Sequence, residues 1–208
     1  KYRSDVQTQT GVENVLRNTP MYNTNFTYTN NAGKNVSIKY SKAFMEAAAA
    51  SKVSPYHLAS RVKQEVVISS TMMSSSVSGN VAGYKGIYNF YNIGANSGAN
   101  AVKNGLKWAS TGTDYSRPWN NRYRSIYGGA MYIGSNYINR GQNTGYLQKF
   151  NVTATKRYDH QYMANIEAPN NEATKTANAY GSDKDNTPIV FSIPVYNNMP
   201  VSACDIPS

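Results

Sequence analysis

The residue best suited to acid–base chemistry in this chain is Glu65, within the stretch SPYHLASRVKQEVV at residues 54–67. Leu58, Val62, Glu65 and Val66 fall at i, i+4, i+7 and i+8, which is the spacing of one face of a helix. The pattern therefore predicts that Glu65 points toward the core or toward a cleft. An acid on such a face is either a proton donor or an edge glutamate paired with an arginine or lysine, and periodicity leaves both readings open.

The other acids have adequate structural explanations, because they lie in loops, in polar stretches, near the ends of the chain or at a helix start. Asp159, for example, opens a predicted helix, where a carboxylate meets the favourable N-terminal dipole. His57 and His160 are far apart with no third ligand at metal-like spacing, so we predict no metal site. No motif for a nucleotide, a nucleophilic triad or another cofactor is present, and no cofactor is expected. Elimination therefore leaves Glu65 as the candidate acid.

A glycosidase needs a proton donor for the leaving oxygen and a group that stabilises or traps the oxocarbenium-like centre, commonly a second carboxylate. The sequence after Glu65 has no further acid before Asp114. A substrate with a 2-acetamido group can supply its own nucleophile, so that the enzyme needs one acid and polar groups that orient the acetamide. If the chain is a glycosidase, the acids favour an N-acetylhexosamine substrate.

Composition supports an anionic or a sugar-rich partner. The chain has 208 residues, with 21 basic and 11 acidic residues, a formal net charge of +10 and 18 tyrosines. Tyrosine rings and asparagine amides suit sugars, but they also suit single-stranded nucleic acid. No apolar run approaches the roughly 18 residues of a membrane span, and the one cysteine excludes an internal disulfide. We expect no membrane span and a processed or excised fragment.

The elements that must position Glu65 are mostly helical. Ser54 as N-cap and Pro55 at the first helical position predict a clear helix start, after an alanine-rich helix at 41–51. Further helices are predicted at 99–108, 119–137 and 158–168, with a flexible Ser/Gly-rich loop at 68–86 and a short extended piece at 146–150. Residues 1–40 are predicted to be an extended lead-in segment with a hairpin, followed by one domain at 41–208.

Four blocks of this sequence, in this order, resemble a known family. They are SRVKQEV at 60–66, YNFYNIGA at 88–95, GQ at 141–142 with YLQKFNV at 146–152, and YDHQYMANI at 158–166. Together they resemble the bacterial cell-wall N-acetylglucosaminidases of glycoside hydrolase family 73, the glucosaminidase domains of autolysins, and most closely the clostridial versions.

The resemblance implies an α+β, mostly α, lysozyme-like fold with a helical lobe and a small β-hairpin lobe. It implies hydrolysis of the β-1,4 bond between N-acetylglucosamine and N-acetylmuramic acid in peptidoglycan. Glu65 matches the general acid, and Tyr162 the tyrosine opposite it. The residues that match the substrate-binding positions are Tyr88, Asn89, Tyr91, Asn92, Gln142 and Tyr158. Some members have a second acid in the hairpin region, and its absence here puts a two-carboxylate mechanism in doubt.

These observations predict a secreted, cell-wall-associated, monomeric hydrolase that binds peptidoglycan glycan strands and anionic wall polymers, with no nucleic-acid partner. Two alternatives stay open. One is a non-catalytic module that binds wall glycan with the same cleft. The other is a muramidase or lytic transglycosylase of the same fold, which would release different sugar ends.

Overall fold

Helices are the main regular secondary structure in the computed structural model, which describes residues 1–96, 98–154, 157, 165, 167–180, 187–192, 195 and 197–202. The helices are α1 (Gln9–Leu16), α2 (Tyr40–Ser51), α3 (Pro55–Val66), α4 (Ala101–Ser110), α5 (Arg122–Asn136), α6 (Gly145–Lys149) and α7 (Ala168–Tyr180). Strands β1 (Asn25–Thr29) and β2 (Asn35–Lys39) form a two-stranded antiparallel sheet. The predicted mostly helical α+β architecture is confirmed. None of the helices in the described residues has the length and apolar character to cross a membrane.

Helix α3 forms as its sequence predicts. The Ser54 hydroxyl accepts a hydrogen bond from the backbone N–H of His57 at 3.4 Å, and Pro55 occupies the first turn. Leu58, Val62 and Val66 are almost fully buried on one side of the helix. The helix ends at Val66, and the backbone becomes extended at Val67, which forms a single bridge to Met73. One edge of α3 is therefore anchored in the core, and the neighbouring edge is free to carry polar side chains.

Helices α2 and α5 pack against each other at the centre of the core. The small side chains of Ala47 and Ala48 are fully buried, as are Ile126 and Ala130 of α5. Small residues on both helices let the two backbones approach closely. The alanine run that predicted a closely packed helix is explained by this contact.

Residues 1–40 contain more than an extended segment. The hairpin is present, with Phe26 opposite Ile38 in the register and the Phe26 ring 4.6 Å from the ring of Tyr40. Helix α1 lies ahead of it, and Val12 and Leu16 are fully buried in the same core cluster as α2 and α3. The extended description of this segment is therefore corrected, because α1 is part of the core.

Lys63 connects three helices. From α3 its Nζ donates hydrogen bonds to the carbonyls of Val15 (3.0 Å) and Arg17 (3.2 Å) at the end of α1, and to Ala179 (2.9 Å) at the end of α7. A cation at a helix C-terminus satisfies carbonyls that lack partners within the helix and meets the negative end of the dipole. Burial lowers the pKa of Lys63 from its ordinary value.

The region after α5 differs from the prediction. Residues 146–150, predicted to be extended, lie largely in helix α6, because the Thr144 hydroxyl caps it by accepting from the N–H of Leu147 at 3.1 Å. Most of the helix predicted at 158–168 lies outside the described residues. Helix α7 occupies part of the stretch that was expected to be a solvated helix or loop.

Candidate active site

Glu65 lies in a cleft of ≈ 540 Å³ that is bounded by α3, the loop at 91–95, and helices α4, α5 and α6. This volume is in the range of sites that hold small molecules or segments of a polymer. The described residues that line it are His57, Arg61, Glu65, Tyr91, Asn92, Ile93, Gly94, Ala95, Ala101, Tyr132, Ile133, Tyr137, Gln148 and Lys149. The lining mixes tyrosine rings, amides and charged groups around a single carboxylate.

The Glu65 carboxylate is partly sheltered, with 29% of its side chain exposed, and it has two neighbours. Its Oε1 accepts a hydrogen bond from the Arg61 guanidinium at 3.1 Å. The Asn92 amide donates to the Glu65 backbone carbonyl at 2.8 Å and lies 3.4 Å from Oε2. Both sequence interpretations are therefore partly right, because Glu65 faces a cleft and is also paired with an arginine.

A second stripe on α3 was missed in the sequence. His57, Arg61 and Glu65 recur at i, i+4 and i+8, and all three line the cleft. Glu65 sits where this polar stripe meets the apolar stripe of Leu58 and Val62, so it belonged to both patterns. Burial, with a smaller contribution from the positive charge of Arg61, lowers the pKa of His57 from 6.5 to about 3. His57 is thus neutral in the cleft at physiological pH.

The loop at 91–95 brings the predicted residues Tyr91 and Asn92 to the cleft. Asn92 adopts φ 49°, a left-handed conformation that asparagine tolerates better than most residues, and this turn aims its amide at Glu65. Tyr91 is 5% exposed, and its hydroxyl has no hydrogen-bond partner among the described residues. Burial raises the pKa of Tyr91. A buried hydroxyl without a partner is costly, so a hydrogen bond to this hydroxyl would relieve that cost.

Gly129 makes room for Tyr91. A Cβ atom at this position of α5 would overlap the Tyr91 ring at Cδ2 and Cε2. Glycine is unfavourable in a helix interior, yet at this position it is what allows the ring to pack against the helix. The glycine is visible in the sequence, but the sequence does not show which side chain it makes room for.

Asn89, Tyr88 and Gln142 do not line the cleft. Asn89 is fully buried, and its Nδ2 donates to the carbonyls of Ile93 (2.8 Å) and Gly105 (2.9 Å) while its Oδ1 accepts from the Ile93 N–H at 3.2 Å. These bonds fix the 89–93 loop to α4, so the observed contacts of Asn89 are structural, and its substrate-binding role stays a prediction.

Tyr88 and Gln142 are likewise engaged elsewhere. The Tyr88 hydroxyl packs against Gly79, and the Arg122 guanidinium lies 5.1 Å from its ring centroid. Gln142 is 1% exposed and donates to the Leu147 carbonyl at 2.9 Å, which supports α6. Neither side chain lines the Glu65 cleft, and their substrate-binding roles stay predictions.

The two predicted tyrosines Tyr158 and Tyr162 lie outside the described residues. Their roles as substrate-binding and catalytic residues stay predictions. Within the described residues, the tyrosines that line the cleft are Tyr91, Tyr132 and Tyr137. Tyr132 and Tyr137 lie within the helix predicted at 119–137, and helical periodicity does not distinguish a core face from a cleft wall.

Glu65 is the one acid among the described residues that line the cleft. Asp114, considered as a possible second acid, has a 79% exposed side chain beside Arg117 and is not part of the lining. Glu46 accepts a hydrogen bond from the Tyr123 hydroxyl at 2.8 Å away from the cleft. In the described part of the chain, no residue brings a second carboxylate into the cleft.

These features define a class of protein: a mostly helical domain with a small antiparallel hairpin and a cleft that carries an acid. Solved structures share this fold. Autolysin E from S. aureus, as a catalytic mutant in complex with the disaccharide NAG-NAM, matches with a TM-score of 0.53 and 20% identity, over 84% of this chain and 67% of that one. A structure described as Major Bifunctional Autolysin matches with a TM-score of 0.52 and 20% identity, over 84% and 63% of the two chains.

Sequence comparison gives the same group of proteins. The chain is 30% identical over 168 residues to a beta-N-acetylglucosaminidase of Bacillus subtilis (strain 168), which covers 79% of this chain and 18% of that protein. It is 31% identical over 109 residues to a bifunctional autolysin of Staphylococcus epidermidis, covering 52% and 8%. No protein-family model matches the chain. The chain spans less than a fifth of these relatives, and its predicted resemblance to the autolysin glucosaminidases is confirmed.

Proposed function

We propose that this chain carries the catalytic domain of a peptidoglycan hydrolase that cleaves the β-1,4 bond between N-acetylglucosamine and N-acetylmuramic acid. The observation that carries the proposal is the position of Glu65, a single carboxylate half-sheltered in a cleft of tyrosines and amides. The glucosaminidase and autolysin relatives, and the NAG-NAM disaccharide bound by autolysin E, support the same substrate class.

In the proposed reaction, protonated Glu65 donates its proton to the glycosidic oxygen as the bond to the anomeric carbon breaks. The carbonyl oxygen of the substrate's own 2-acetamido group attacks that carbon and forms a cyclic oxazolinium ion. Water then adds to the anomeric carbon and gives its proton to the Glu65 carboxylate, which restores the acid and opens the ring. One carboxylate is sufficient for this sequence, which agrees with the single acid among the described lining residues.

Tyr91 and Asn92 are the described residues best placed to orient the sugar. The unpartnered Tyr91 hydroxyl suits a hydrogen bond to the acetamide or to a ring hydroxyl, and Asn92 lies directly beside Glu65. Tyr162 and Tyr158 are proposed to complete the site from the segment that the resemblance identifies. No cofactor is required by this chemistry.

The proposed setting is a secreted, cell-wall-associated, monomeric enzyme. Its excess of basic over acidic residues suits a wall that carries muramyl carboxylates and anionic polymers. Arg61 and Lys149 bring part of that positive charge to the cleft itself. Glycan strands are therefore the expected partner, and the charge favours their retention at the surface.

The test is the variant Glu65→Gln, assayed on purified peptidoglycan by the release of reducing sugar. Because a general acid contributes about 10²- to 10⁴-fold, we expect a loss of that size with an unchanged circular dichroism spectrum. Glu46→Gln is the matched control. Like Glu65, Glu46 pairs with a basic residue four positions away, Lys42, but it lies off the cleft and accepts a hydrogen bond from Tyr123. Retained activity in Glu65→Gln would refute the assignment.

Mass spectrometry of the released fragments separates the enzyme alternatives. Reducing-end N-acetylglucosamine supports the proposal, whereas reducing-end muramic acid indicates a muramidase and anhydromuramic acid a lytic transglycosylase. Binding to peptidoglycan without release of any fragment would indicate a non-catalytic module.

A further inference from the structure

Arg61 lies between two carboxylates from different helices. Its Nη2 is 3.1 Å from Glu65 Oε1 within α3, and its Nη1 is 3.1 Å from Glu172 Oε1 on α7. The three side chains are all partly sheltered, with exposures of 32% for Arg61, 29% for Glu65 and 21% for Glu172. The planar guanidinium has donors in a fixed fork, so a contact at each tip restricts its orientation.

We propose that Arg61 is a positioning residue for Glu65, held in place by Glu172, and that it fixes which carboxyl oxygen delivers the catalytic proton. This inference rests on the proposed function. Oε1 accepts from the guanidinium, which has only donors and no acceptor, so a proton on Oε1 would leave two donors facing each other. Oε2 faces a weaker donor, because the neutral Asn92 amide donates to it over 3.4 Å, whereas the charged guanidinium donates to Oε1 over 3.1 Å. The acid proton therefore belongs on Oε2.

The arrangement also fits the charge change in the reaction. When Oε2 gives its proton to the glycosidic oxygen, Glu65 becomes a carboxylate whose Oε1 already has a charged donor at hydrogen-bond distance. The donor is in place before the charge develops, so no group needs to move. Glu172 balances the guanidinium and, by holding its other tip, keeps it from turning into the cleft toward the substrate.

A purely structural explanation predicts a different result, and the chain supplies a control for it. Arg61 and Lys63 both connect α3 to α7, Arg61 through Glu172 and Lys63 through the Ala179 carbonyl. Of these two residues, only Arg61 contacts the Glu65 carboxylate. If the contact served only to dock α7, loss of either connection would affect activity in the same way.

The experiment measures kcat, KM and the melting temperature for Arg61→Gln, Arg61→Lys, Glu172→Ala and Lys63→Met, using soluble glycan fragments. We expect Arg61→Gln to lower kcat about tenfold or more with KM nearly unchanged, because only the orientation of the acid is lost. Arg61→Lys should recover part of kcat, and Glu172→Ala should lower it about twofold to fivefold by the same reasoning. Lys63→Met should lower the melting temperature and leave kcat unchanged.

Equal kcat in Arg61→Gln and the unaltered chain would overturn the inference, as would an equal fall of kcat in Lys63→Met. If Arg61→Gln does not fold, Arg61→Lys and Glu172→Ala still decide the point, because unchanged kcat in both contradicts a positioning role. An unaltered chain that releases no glycan fragment would instead refute the proposed function, so the two failures are distinguishable.

Discussion

Replacing Gly129 by alanine tests the packing of the cleft wall, because two opposite effects are expected and the structure decides between them. Alanine is more favourable than glycine in a helix interior by about 1 kcal/mol, so propensity alone predicts stabilisation. The added Cβ would overlap the Tyr91 ring, which is 5% exposed and packed on α5. Overpacking a rigid core costs about 1–3 kcal/mol, and more when the neighbour cannot move. Subtracting the propensity gain from the packing cost leaves an expected destabilisation of up to about 2 kcal/mol.

The assay is urea unfolding followed by circular dichroism, with the midpoint and slope compared for the two chains. Because Tyr91 lines the cleft, we also expect a higher KM for glycan fragments when its ring is displaced. Gly145→Ala in α6 is the control, since a Cβ there meets no atom within 4 Å and should leave stability unchanged or raised. A Gly129→Ala chain that is more stable than the parent would refute the packing argument.

Two further predictions concern charge. The pKa of His57 is lowered to about 3, so the unfolded chain takes up this proton near pH 6.5 and the folded chain does not. The free energy of unfolding should therefore fall as the pH falls from 6.5 toward 3, by up to about 1.4 kcal/mol per pH unit. His57→Gln should flatten this slope when it is measured by urea unfolding, and an identical slope in the two chains would contradict the prediction. Binding to insoluble peptidoglycan should weaken as salt rises from about 0.01 M to about 0.15 M, because the screening length falls from about 30 Å to about 8 Å. Sedimentation measures the bound fraction of the protein, and binding that does not depend on salt would exclude an electrostatic contribution.

The elements around the candidate acid were predictable because their signals are local. The cap at Ser54, the proline at the first turn and the buried stripe of Leu58, Val62 and Val66 together specify α3, and the structure contains each of them. The alanine run specified α2 for the same reason. Helix α6 was missed, since it is five residues long and depends on one threonine cap. Short helices have too little periodicity to be recognised against an extended alternative.

The candidate site was predicted less completely, because most of it depends on contacts between distant segments. Glu65 was found from periodicity and elimination. Arg61, the partner of its carboxylate, lies four residues earlier in the sequence, but it is not part of the apolar face that singled out Glu65. The contact of Arg61 with Glu172 joins residues far apart in the sequence, so it could not be predicted. The loop-holding bonds of Asn89 were not predicted, since a buried amide that holds a loop and an amide that binds sugar have the same residue type.

The hydrogen bonds of Lys63 make α1 and α7 parts of one cooperative unit, although the two helices are far apart in sequence. A single ammonium group satisfies terminal carbonyls of both helices from a position on α3. If α7 opens locally, the ammonium loses one acceptor and the carbonyl of Ala179 loses its donor, so the cost of opening is shared with α3. Opening of α1 or α7 therefore removes part of the bonding of α3, so the three helices share their stability through one side chain.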